Sequence, residues 1–463
     1  MQTSVFFNSF KPIGMQKNSS LNFSIFRSCH KYFFSFFETM QVFAFLKVPQ
    51  NFSFFFDEMK ILQIANKVPF PPRDGGSIAT FTLSKGFADG GHQVSILAMN
   101  TSKHFVDLSK NTSETEKIKI QGIFTDTSIK YKDIIKNFFF SKIPYNASRF
   151  VQKEFEKALV KTLKEEQFDI VQLEGLYLMP YIATIRKHSN ALVALRAHNV
   201  EHEIWQRTAR QIKNGLKRIY VKNLAKRIKH FEISYLNKYD VLIPITERDG
   251  KKLNQLGNKQ PSHVCPTGID VEKVPCSQEQ DYPVLFHIGA LDWPPNQEGL
   301  LWFLYNCWEE ISLKYPELKF YIAGRNAPKW FVGKLKLKNV EYCGEVEDAS
   351  KFICNKSIMI VPLLSGSGMR IKIIEGMAHG KAIISTSIGA EGINYTNQEN
   401  IMIANTPEYY LRAIEKLISD KAFYAKICMN AKKLIQNEFN NKNITLSLIN
   451  FYEKQLKQKN NLK

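Results

Sequence analysis

Short apolar runs alternate along most of the chain with segments in which apolar residues recur every three or four positions. From Met59 onward, the apolar runs predict strands at residues 60–65, 92–98, 168–173, 190–196, 240–245, 284–289, 318–323, 357–363, 381–386 and 400–404. The helical spacing predicts helices at residues 77–90, 148–166, 202–237, 297–314, 370–379, 407–418, 420–438 and 440–457. Strands that alternate with helices are typical of βαβ units, which build parallel sheets.

A break in this alternation near residues 257–282 divides the predicted strands into two groups. Prolines and a glycine cluster there, at Pro261, Pro266, Gly268, Pro275 and Pro283. We therefore expect an α/β protein with two Rossmann-like, doubly wound domains that face each other across a cleft, where the carboxyl ends of the strands bind ligands. The expected boundaries are residues 59–260 for the first domain, 277–440 for the second, and 441–463 for a C-terminal helix and tail.

Residues 1–58 differ from the rest of the chain. They contain 15 of the 35 phenylalanines without a helix or strand period, and their uncharged stretches are short and mixed with Asn and Ser. A signal peptide has one continuous apolar core instead. We interpret this segment as an atypical extension and expect the native protein to start at Met59. The alternative is a peripheral extension that adheres to a membrane.

Composition excludes several classes of protein. The chain has 463 residues, 44% of them hydrophobic, which is enough for two or three domains with their own cores. Its seven cysteines are scattered and odd in number, which indicates a reducing compartment with neither a disulfide framework nor a zinc site. No uncharged apolar run reaches the roughly 18 residues of a membrane-spanning helix.

The chain is strongly basic, with 63 Lys and Arg against 43 Asp and Glu and a net charge of +20. This balance favours nucleic acid, an anionic membrane surface or a phosphorylated ligand as partner, although solvated lysine faces are also common. Residues 204–231 concentrate nine basic residues without an acidic one, and apolar residues repeat among them at helical spacing. Two interpretations stay open: a helix that lies on anionic lipid, or one that buries its apolar stripe and leaves solvated lysines outside.

Two short segments follow predicted strands and carry candidate chemistry. Gly75 and Gly76 come after the first strand, where the backbone can approach a ligand, and Ser77 is a candidate cap for a helix whose N-terminus favours anions. A plain Gly-Gly turn is the alternative. His198 ends another buried strand and points to the cleft, where it is a candidate for proton transfer or for a hydrogen bond to substrate; a structural histidine is the alternative.

The segment 365–380 carries the strongest candidate site. A Gly-Ser-Gly turn (Gly366, Ser367, Gly368) opens a helix there, and Arg370 can grip phosphate oxygens with its planar guanidinium. Lys372 and Glu375 share one helix face, and a carboxylate beside a phosphate-binding helix start suits a ribose diol. The alternative is a solvated face with a Lys–Glu pair. Because Asp-x-Asp and metal-ligand clusters are missing from the sequence, we expect metal-free chemistry without a cofactor.

Taken together, these segments resemble the retaining glycosyltransferase family 4 (glycosyl transferases group 1), which has the two-Rossmann GT-B architecture. The resemblance runs from Met59 to about residue 457. It rests on the order and spacing of five segments: residues 60–77, His198-Asn199-Val200-Glu201, Pro266-Thr267-Gly268-Ile269-Asp270, residues 322–328, and Ile374-Glu375-Gly376-Met377-Ala378-His379-Gly380.

The family implies transfer of a sugar from a nucleotide-sugar donor, with retention, to a glycan or lipid-linked acceptor. The first domain would then hold the acceptor and the second the donor. By resemblance, Glu375 holds the donor ribose, Arg370 and Lys372 neutralise the departing diphosphate, and His198 lies near the transferred sugar. The remaining residues implied at the donor are Gly75, Gly76, Gly289, Arg325, Gly366, Ser367 and Gly368.

Two departures from the family pattern stand out. Ser367 replaces a second Glu, and residues 289–296 lack the usual Arg and Lys, which shifts the phosphate role onto Arg370, Lys372 and Arg325. The chain resembles a subgroup common in polysaccharide assembly, so we expect a role in cell-surface polysaccharide biosynthesis, in the cytoplasm or on the inner face of the cell membrane. A non-catalytic nucleotide-sugar-binding subunit and a sugar-nucleotide epimerase are the alternatives; no specific nucleic-acid partner is expected.

Overall fold

The computed structural model describes residues 58–109, 115–274, 281–366 and 368–461. They belong to one compact unit, Glu58–Lys463. The expectations for residues 1–57, including the start of the native chain, and for Ser367 therefore lie outside the described residues.

Twelve described strands form two six-stranded parallel sheets. The first sheet has the order β3-β2-β1-β4-β5-β6, and the second has the order β12-β11-β10-β7-β8-β9. The strands are β1 (Lys60–Ala65), β2 (Gln93–Thr101), β3 (Ile118–Thr125), β4 (Ile170–Glu174), β5 (Leu192–Ala197), β6 (Val241–Pro244), β7 (Val284–Ile288), β8 (Lys319–Ala323), β9 (Val340–Gly344), β10 (Ile358–Val361), β11 (Ala382–Ser385) and β12 (Met402–Ile403).

Helices connect the strands and cover the sheets. The α-helices are α1 (Gly75–Asp89), α2 (Tyr131–Phe140), α3 (Tyr145–Ser148), α4 (Lys153–Glu165), α5 (Ile182–His188), α6 (Glu201–Gln211), α7 (Gly215–Tyr235), α8 (Glu247–Gln255), α9 (Pro294–Phe303), α10 (Glu309–Lys314), α11 (Lys329–Lys334), α12 (Ala349–Cys354), α13 (Ile371–Ala378), α14 (Pro407–Ser419), α15 (Lys421–Glu438) and α16 (Asn441–Asn461). Short 3-10 turns lie at Ser102–His104, Leu176–Tyr181 and Val271–Lys273, and a π-helical turn, Leu304–Trp308, joins α9 to α10.

The central strands are buried on both faces, as their near-continuous apolar sequences require. Strands β4, β5 and β7 are buried at every position. We call the described residues between 58 and 268 the first lobe and those between 269 and 440 the second lobe. Both sheets have the doubly wound strand order, so the predicted α/β class with two Rossmann-like halves is confirmed; the predicted domain boundaries stay a prediction.

The strand order reverses between β1 and β4 in the first lobe and between β7 and β10 in the second. In doubly wound sheets, ligands bind outside the carboxyl ends of the strands at such reversals. A ligand site is therefore expected where Ala65 and Glu174 end β1 and β4, and where Ile288 and Val361 end β7 and β10.

The chain crosses between the lobes twice, and the two crossings lie side by side. Ile269 forms a parallel bridge with Asn440, and the Asn441 amide donates to the Ile269 carbonyl at 3.0 Å. Helix α16 then packs on the first lobe, where the Tyr452 hydroxyl donates to Gln172 Oε1 at 2.6 Å. This paired crossing ties the C-terminal helix to the opposite lobe.

The sequence prediction missed parts of the fold that are exposed or short. Strand β9 is an exposed edge strand, and β3 is only partly buried, so neither has a continuous apolar run. The helix predicted at 202–237 is wrong as one helix: it breaks at residues 212–214, where the Asn214 side chain accepts from the Lys217 amide and starts α7. Among the described residues, no helix is long and apolar enough to cross a membrane.

Candidate active site

Helix α13 of the second lobe begins beneath a turn that only glycine fits. Gly366 and Gly368 have φ values of +120° and +80°, which side chains other than glycine rarely adopt. A Cβ at residue 366 would lie 2.5 Å from Arg370 Nη2, so the missing side chain also makes room for the guanidinium. The helix begins at Ile371, one residue later than the sequence predicted, so Arg370 precedes the helix instead of lying in its first turn.

Arg370 is held in place by the protein. Its Nη1 donates to the Gly368 carbonyl at 2.8 Å, and its guanidinium carbon lies 5.4 Å from the centre of the Trp293 ring. Burial lowers the pKa of Arg370 to about 10, although the Glu391 carboxylate opposes the shift. A cation that is shielded from water to this extent interacts strongly with any anion that enters the site.

Lys372 lies below Gly289, the residue after β7. The Lys372 ammonium donates to Asn296 Oδ1 at 2.9 Å and lies 3.3 Å from His287 Nε2. His287 Nδ1 bonds the Ile360 carbonyl at 2.8 Å, and burial together with the Lys372 charge lowers the pKa of His287 far below its usual range. The histidine is therefore neutral, with Nδ1 protonated and Nε2 free to accept from the ammonium.

The Lys372 ammonium fills the space that a side chain at residue 289 would need. A Cβ at Gly289 would lie 2.9 Å from Lys372 Nζ. Burial and the Arg370 charge lower the pKa of Lys372 to about 7, against the opposing charge of Glu375. Lys372 therefore does not lie on a solvated helix face, and the alternative offered by the sequence is wrong for this residue.

Glu375 follows one turn later on α13 and has no hydrogen-bond or ion-pair partner for its carboxylate among the described residues. Burial raises the pKa of Glu375 to about 7, and only the Lys372 charge opposes this. A partly enclosed carboxylate without a partner is costly unless a ligand supplies donors. His379, four residues after Glu375, contacts Ser350 and Cys354 instead of the cleft residues.

The first lobe contributes a carboxylate–histidine pair that the sequence analysis did not find. Glu174 ends β4, and its Oε2 lies 2.7 Å from His198 Nε2, just after β5. The other His198 nitrogen, Nδ1, has no partner in the described part of the chain. Glu174 directly follows the predicted strand 168–173. His198 was selected because it lies at the end of a predicted strand, and the same criterion would have selected Glu174.

Glu174 is enclosed by donors. Gln63 Nε2 donates to it at 3.1 Å and the Thr80 hydroxyl at 3.2 Å, while Arg196 Nη1 lies 3.8 Å away. Burial alone would raise the pKa of Glu174, but the Arg196 charge and the His198 contact outweigh it and lower the pKa to about 2. The carboxylate is therefore ionised, fixes the His198 ring, and holds a proton on Nε2.

The loop before α1 differs from the expectation. The helix begins at Gly75, and its cap is Asp74, whose carboxylate accepts from the Gly76 amide at 3.0 Å and the Ser77 amide at 3.1 Å. Lys67 in turn pairs with Asp74 at 2.5 Å. Ser77 is therefore not the N-cap residue, but it takes part in the capping box as its third helical residue, where its hydroxyl accepts from the Asp74 amide at 3.0 Å. The Gly76 amide is already occupied. A Cβ at Gly75 would meet nothing within 4 Å, so this position is open.

Arg325 follows β8 in the second lobe, and its guanidinium has no partner among the described residues. Its charge reaches His104 of the first lobe: burial lowers the pKa of His104, and the charges of Lys67, Lys103 and Arg325 lower it further. The Arg325 guanidinium therefore lies close enough to the first lobe for its charge to act on His104.

Direct contacts close the cleft on the other side. Arg207 of α6 forms two 2.9 Å contacts with the Glu391 carboxylate and donates to the Gly366 carbonyl at 2.9 Å. The Asn199 side chain fills the space at Gly368, where a Cβ would lie 2.7 Å from its oxygen. The first lobe thus touches the glycine turn above Arg370, and Arg207 is not part of a solvated or lipid-facing surface.

The structure brings the predicted residues Gly289, Gly366, Gly368, Arg370, Lys372 and Glu375 together at the carboxyl edge of the second sheet, with His198, Gly75 and Arg325 around the same cleft. The partners that hold them (Glu174, His287 and Asn296) were missed. Among the described residues, no group of three or more His, Cys, Asp and Glu side chains is arranged to hold a metal ion.

Two models of known protein families match this chain, one in each lobe. A model described as "Glycosyltransferase Family 4" matches residues 73–273, and one described as "Glycosyl transferases group 1" matches residues 282–420. Two doubly wound lobes with facing strand ends are the GT-B architecture. The chain belongs to the family 4, group 1 glycosyltransferases.

Solved structures share this architecture at low sequence identity. Anabaena HepE in complex with UDP has 13% identity and a TM-score of 0.59, over 86% of this chain and 100% of that one. Sucrose-phosphate synthase from Thermosynechococcus elongatus has 14% identity and a TM-score of 0.63, over 85% and 98%. A curated relative, the "Uncharacterized 44.6 kDa protein in cps region" of Klebsiella pneumoniae, is 24% identical, over 84% of this chain and 98% of its own length.

Proposed function

We propose that this glycosyltransferase moves a sugar from a nucleotide-sugar donor to a glycan or lipid-linked acceptor, with retention and without a metal ion, in cell-surface polysaccharide assembly. The observation that carries the proposal is the cluster of Arg370, Lys372 and Glu375 at the strand reversal of the second lobe. HepE, a structural neighbour, binds UDP and UDP-glucose, and the Klebsiella relative lies in a cps region.

The donor would bind with its nucleotide in the second lobe. The unpartnered Glu375 carboxylate accepts hydrogen bonds from the two ribose hydroxyls, which relieves the cost of its enclosure. The diphosphate lies between Arg370 and Lys372, which are held in place by Gly368 and Asn296 before the ligand arrives. Arg325, across the cleft, adds a third cation.

Catalysis would depend on charge that develops as the bond between the sugar and the diphosphate breaks. The leaving phosphate gains negative charge while the sugar becomes oxocarbenium-like, so preorganised cations stabilise the transition state more than the ground state. Arg370 and Lys372 supply the charge that a metal ion provides in other transferases. A phosphate oxygen takes the proton of the acceptor hydroxyl on the face the phosphate leaves, which gives retention.

His198 would contact the transferred sugar. Because Glu174 holds Nε2 protonated at 2.7 Å, the open Nδ1 accepts a hydrogen bond from a sugar hydroxyl. Glu174 is thus a positioning residue, and His198 the group that touches substrate.

The acceptor would occupy a cavity of about 640 Å³ at the carboxyl ends of β1, β2 and β3. Three lysine and arginine side chains and no acidic one are among its lining residues, and Ile129 and Phe150 give it an apolar side. The cationic lining residues are Lys103, Arg149 and Lys67, the last of which is paired with Asp74. A cavity with this charge fits an acceptor that carries phosphate, such as a sugar linked to a lipid through phosphate.

The test is an assay of the full chain with a panel of nucleotide sugars and phosphate-linked acceptors, with and without a chelator. We expect transfer or slow donor hydrolysis with one donor, unchanged by the chelator, and an anomeric centre that NMR shows to be retained. Binding without turnover would favour the non-catalytic subunit, and release of an isomerised sugar nucleotide would favour the epimerase. Activity that depends on an added metal would contradict metal independence.

A further inference from the structure

Two neighbouring segments of the first lobe expose an unusual number of large apolar side chains. On α2, Phe139 is 70% and Phe140 85% exposed, and Ile135 is 62% exposed. At the start of α7, Leu216 is 83% and Ile219 66% exposed. We call residues 132–142 and 213–222 together the apolar tip. Contiguous exposed apolar surface of this kind marks an interaction site.

The apolar tip is a built structure. The Arg227 guanidinium of α7 donates to the carbonyls of Asn137 at 3.2 Å, Ser141 at 2.6 Å and Ile143 at 3.1 Å, which joins α2 and the residues after it to α7. The rings of Phe138 and Tyr220 lie 6.1 Å apart. The backbone that carries the exposed phenylalanines is therefore fixed to α7.

The basic segment that contains α7 divides into two parts. Val221, Leu224, Ile228 and Phe231 face the core, so this part of the helix buries its stripe as an ordinary amphipathic helix does. The start of α7 does not: every residue from 213 to 219 is exposed. The interpretation of a buried apolar stripe is thus correct for residues 221–231, while the start of α7 leaves its apolar residues exposed.

Charge shows what kind of partner fits the apolar tip. Its two segments contain seven basic residues and one acidic residue, Asp133. The basic residues are Lys132, Lys136, Lys142, Lys213, Lys217, Arg218 and Lys222. Aromatic and aliphatic side chains surrounded by long cationic ones match a bilayer surface, where the rings enter the headgroup region and the cations meet anionic lipids.

We propose that the apolar tip docks the protein on an anionic lipid bilayer. The segment 132–142 begins three residues after Ile129, which lines the cavity of the first lobe, so a docked tip holds that cavity at the bilayer surface. The link to a lipid-linked acceptor rests on the proposed function; the docking itself does not.

The test measures binding of the full chain to vesicles without donor or acceptor, so that its outcome is independent of glycosyl transfer. Vesicles of phosphatidylcholine are compared with vesicles that contain about one third phosphatidylglycerol, by co-sedimentation at low and at physiological salt. We expect binding to the anionic vesicles at least tenfold tighter than to the neutral ones, and weaker as salt rises.

Three variants locate the surface. The double variants Phe139→Ser/Phe140→Ser and Lys217→Gln/Arg218→Gln are each expected to weaken binding at least tenfold, and the second also to reduce the salt dependence. The matched control is Leu313→Ser/Met429→Ser, whose side chains are 73% and 65% exposed on the second lobe and which is expected to bind as the wild type does. All side chains changed are exposed, so melting temperatures should agree.

Equal binding to neutral and anionic vesicles, or tip variants that bind like the control, would overturn the proposal. So would a wild-type dimer in solution that the Phe139→Ser/Phe140→Ser variant converts to a monomer, since a second copy would then cover the tip.

Discussion

Two glutamates end up at facing edges of the cleft in opposite environments. Glu174 accepts from Gln63 and Thr80, contacts His198 and is ionised, with a pKa lowered to about 2. Glu375 has no partner among the described residues, and burial raises its pKa to about 7. The carboxylate of Glu174 has its hydrogen-bond partners within the protein, while the carboxylate of Glu375 is available to a ligand.

The difference shows how a site separates structure from substrate binding. A buried carboxylate with all its hydrogen-bond partners fixes the groups around it, and replacing it lowers the free energy of unfolding. A carboxylate that is enclosed but unsatisfied costs stability, and such groups are kept where a ligand completes them. We therefore expect Glu174 to matter for the fold and for His198, and Glu375 to matter for the donor.

The largest expected effect is on stability, with opposite signs at the two positions. Glu174→Gln leaves the buried Arg196 guanidinium without its counter-charge, which should lower the free energy of unfolding by about 3–5 kcal/mol at neutral pH. Glu375 has a folded pKa above its unfolded value, so its contribution to stability is present below the unfolded pKa and lost as pH rises through about 7. Glu375→Gln should therefore be as stable as the wild type, or more so, at pH 8.

Urea unfolding of the two variants at pH 8 measures this contrast. Glu341→Gln, an exposed substitution on the second lobe, is the control and should change little. Two variants with the same loss of stability would show that the environments of the two glutamates do not differ as described.

The next effect concerns Arg370. Because the diphosphate gains charge as the bond breaks, Arg370→Ala should lower turnover on the order of a hundred- to a thousandfold, with a smaller loss of donor affinity. Arg370→Lys should recover only part of this, since a point charge lacks the planar fork. Single-turnover rates and donor titrations separate the two effects; a pure loss of affinity would mean that Arg370 acts only in binding.

Glu375 should show its effect in donor affinity. Glu375→Ala removes charge-assisted hydrogen bonds to the ribose worth about 1.5–3 kcal/mol, which weakens donor binding by roughly ten- to a hundredfold. The comparison with a donor whose ribose lacks a hydroxyl sharpens the test, because the wild type should lose affinity for it and the variant should not. A variant that still discriminates the two donors would place the ribose elsewhere.

The smallest effect is the pH dependence of donor binding. Lys372 loses its proton as pH rises through about 7, and Glu375 gains one as pH falls below about 7, so affinity should be highest near pH 7. The groups interact, so the two limbs report the pair rather than either residue. Lys372→Arg, which stays charged, should flatten the alkaline limb, and Glu375→Gln the acid limb.

Lys381 provides the control for this pH profile. It is a buried lysine of the same lobe whose ammonium donates to the Cys354 carbonyl, away from the cleft. Lys381→Met should cost stability without changing the shape of the profile. If it shifts the profile as Lys372→Arg does, the alkaline limb belongs to the lobe as a whole and not to the site.

The sequence predicted the sheets where apolar runs are continuous, and it predicted the cluster on α13 because glycines, a guanidinium and a carboxylate follow one another within ten residues. It also contained a usable signal for Glu174, which follows a predicted strand as His198 does. The exposed strand β9 has no apolar run, which is why it was missed. The Asn214-Gly215 pair that separates α6 from α7 is a recognisable stop within a long helical pattern.

The partners of Lys372 could not be predicted from local pattern. Asn296 and His287 lie 76 and 85 residues before it and meet it only because α13 begins at the edge of the sheet where β7 ends. Likewise, Arg207 belongs to a basic segment whose pattern suggests a surface, yet it contacts Glu391, 184 residues away. Contacts between distant segments decide which charges serve the site.

The central claim, that Arg370, Lys372 and Glu375 form a donor site, is tested most directly by calorimetric titration with a panel of nucleoside diphosphates. We predict that one of them binds the wild type, that Glu375→Ala and Lys372→Met weaken it at least tenfold, and that Lys381→Met binds it as the wild type does. A wild type that binds none of the panel, or site variants that bind as tightly as the wild type, would contradict the account.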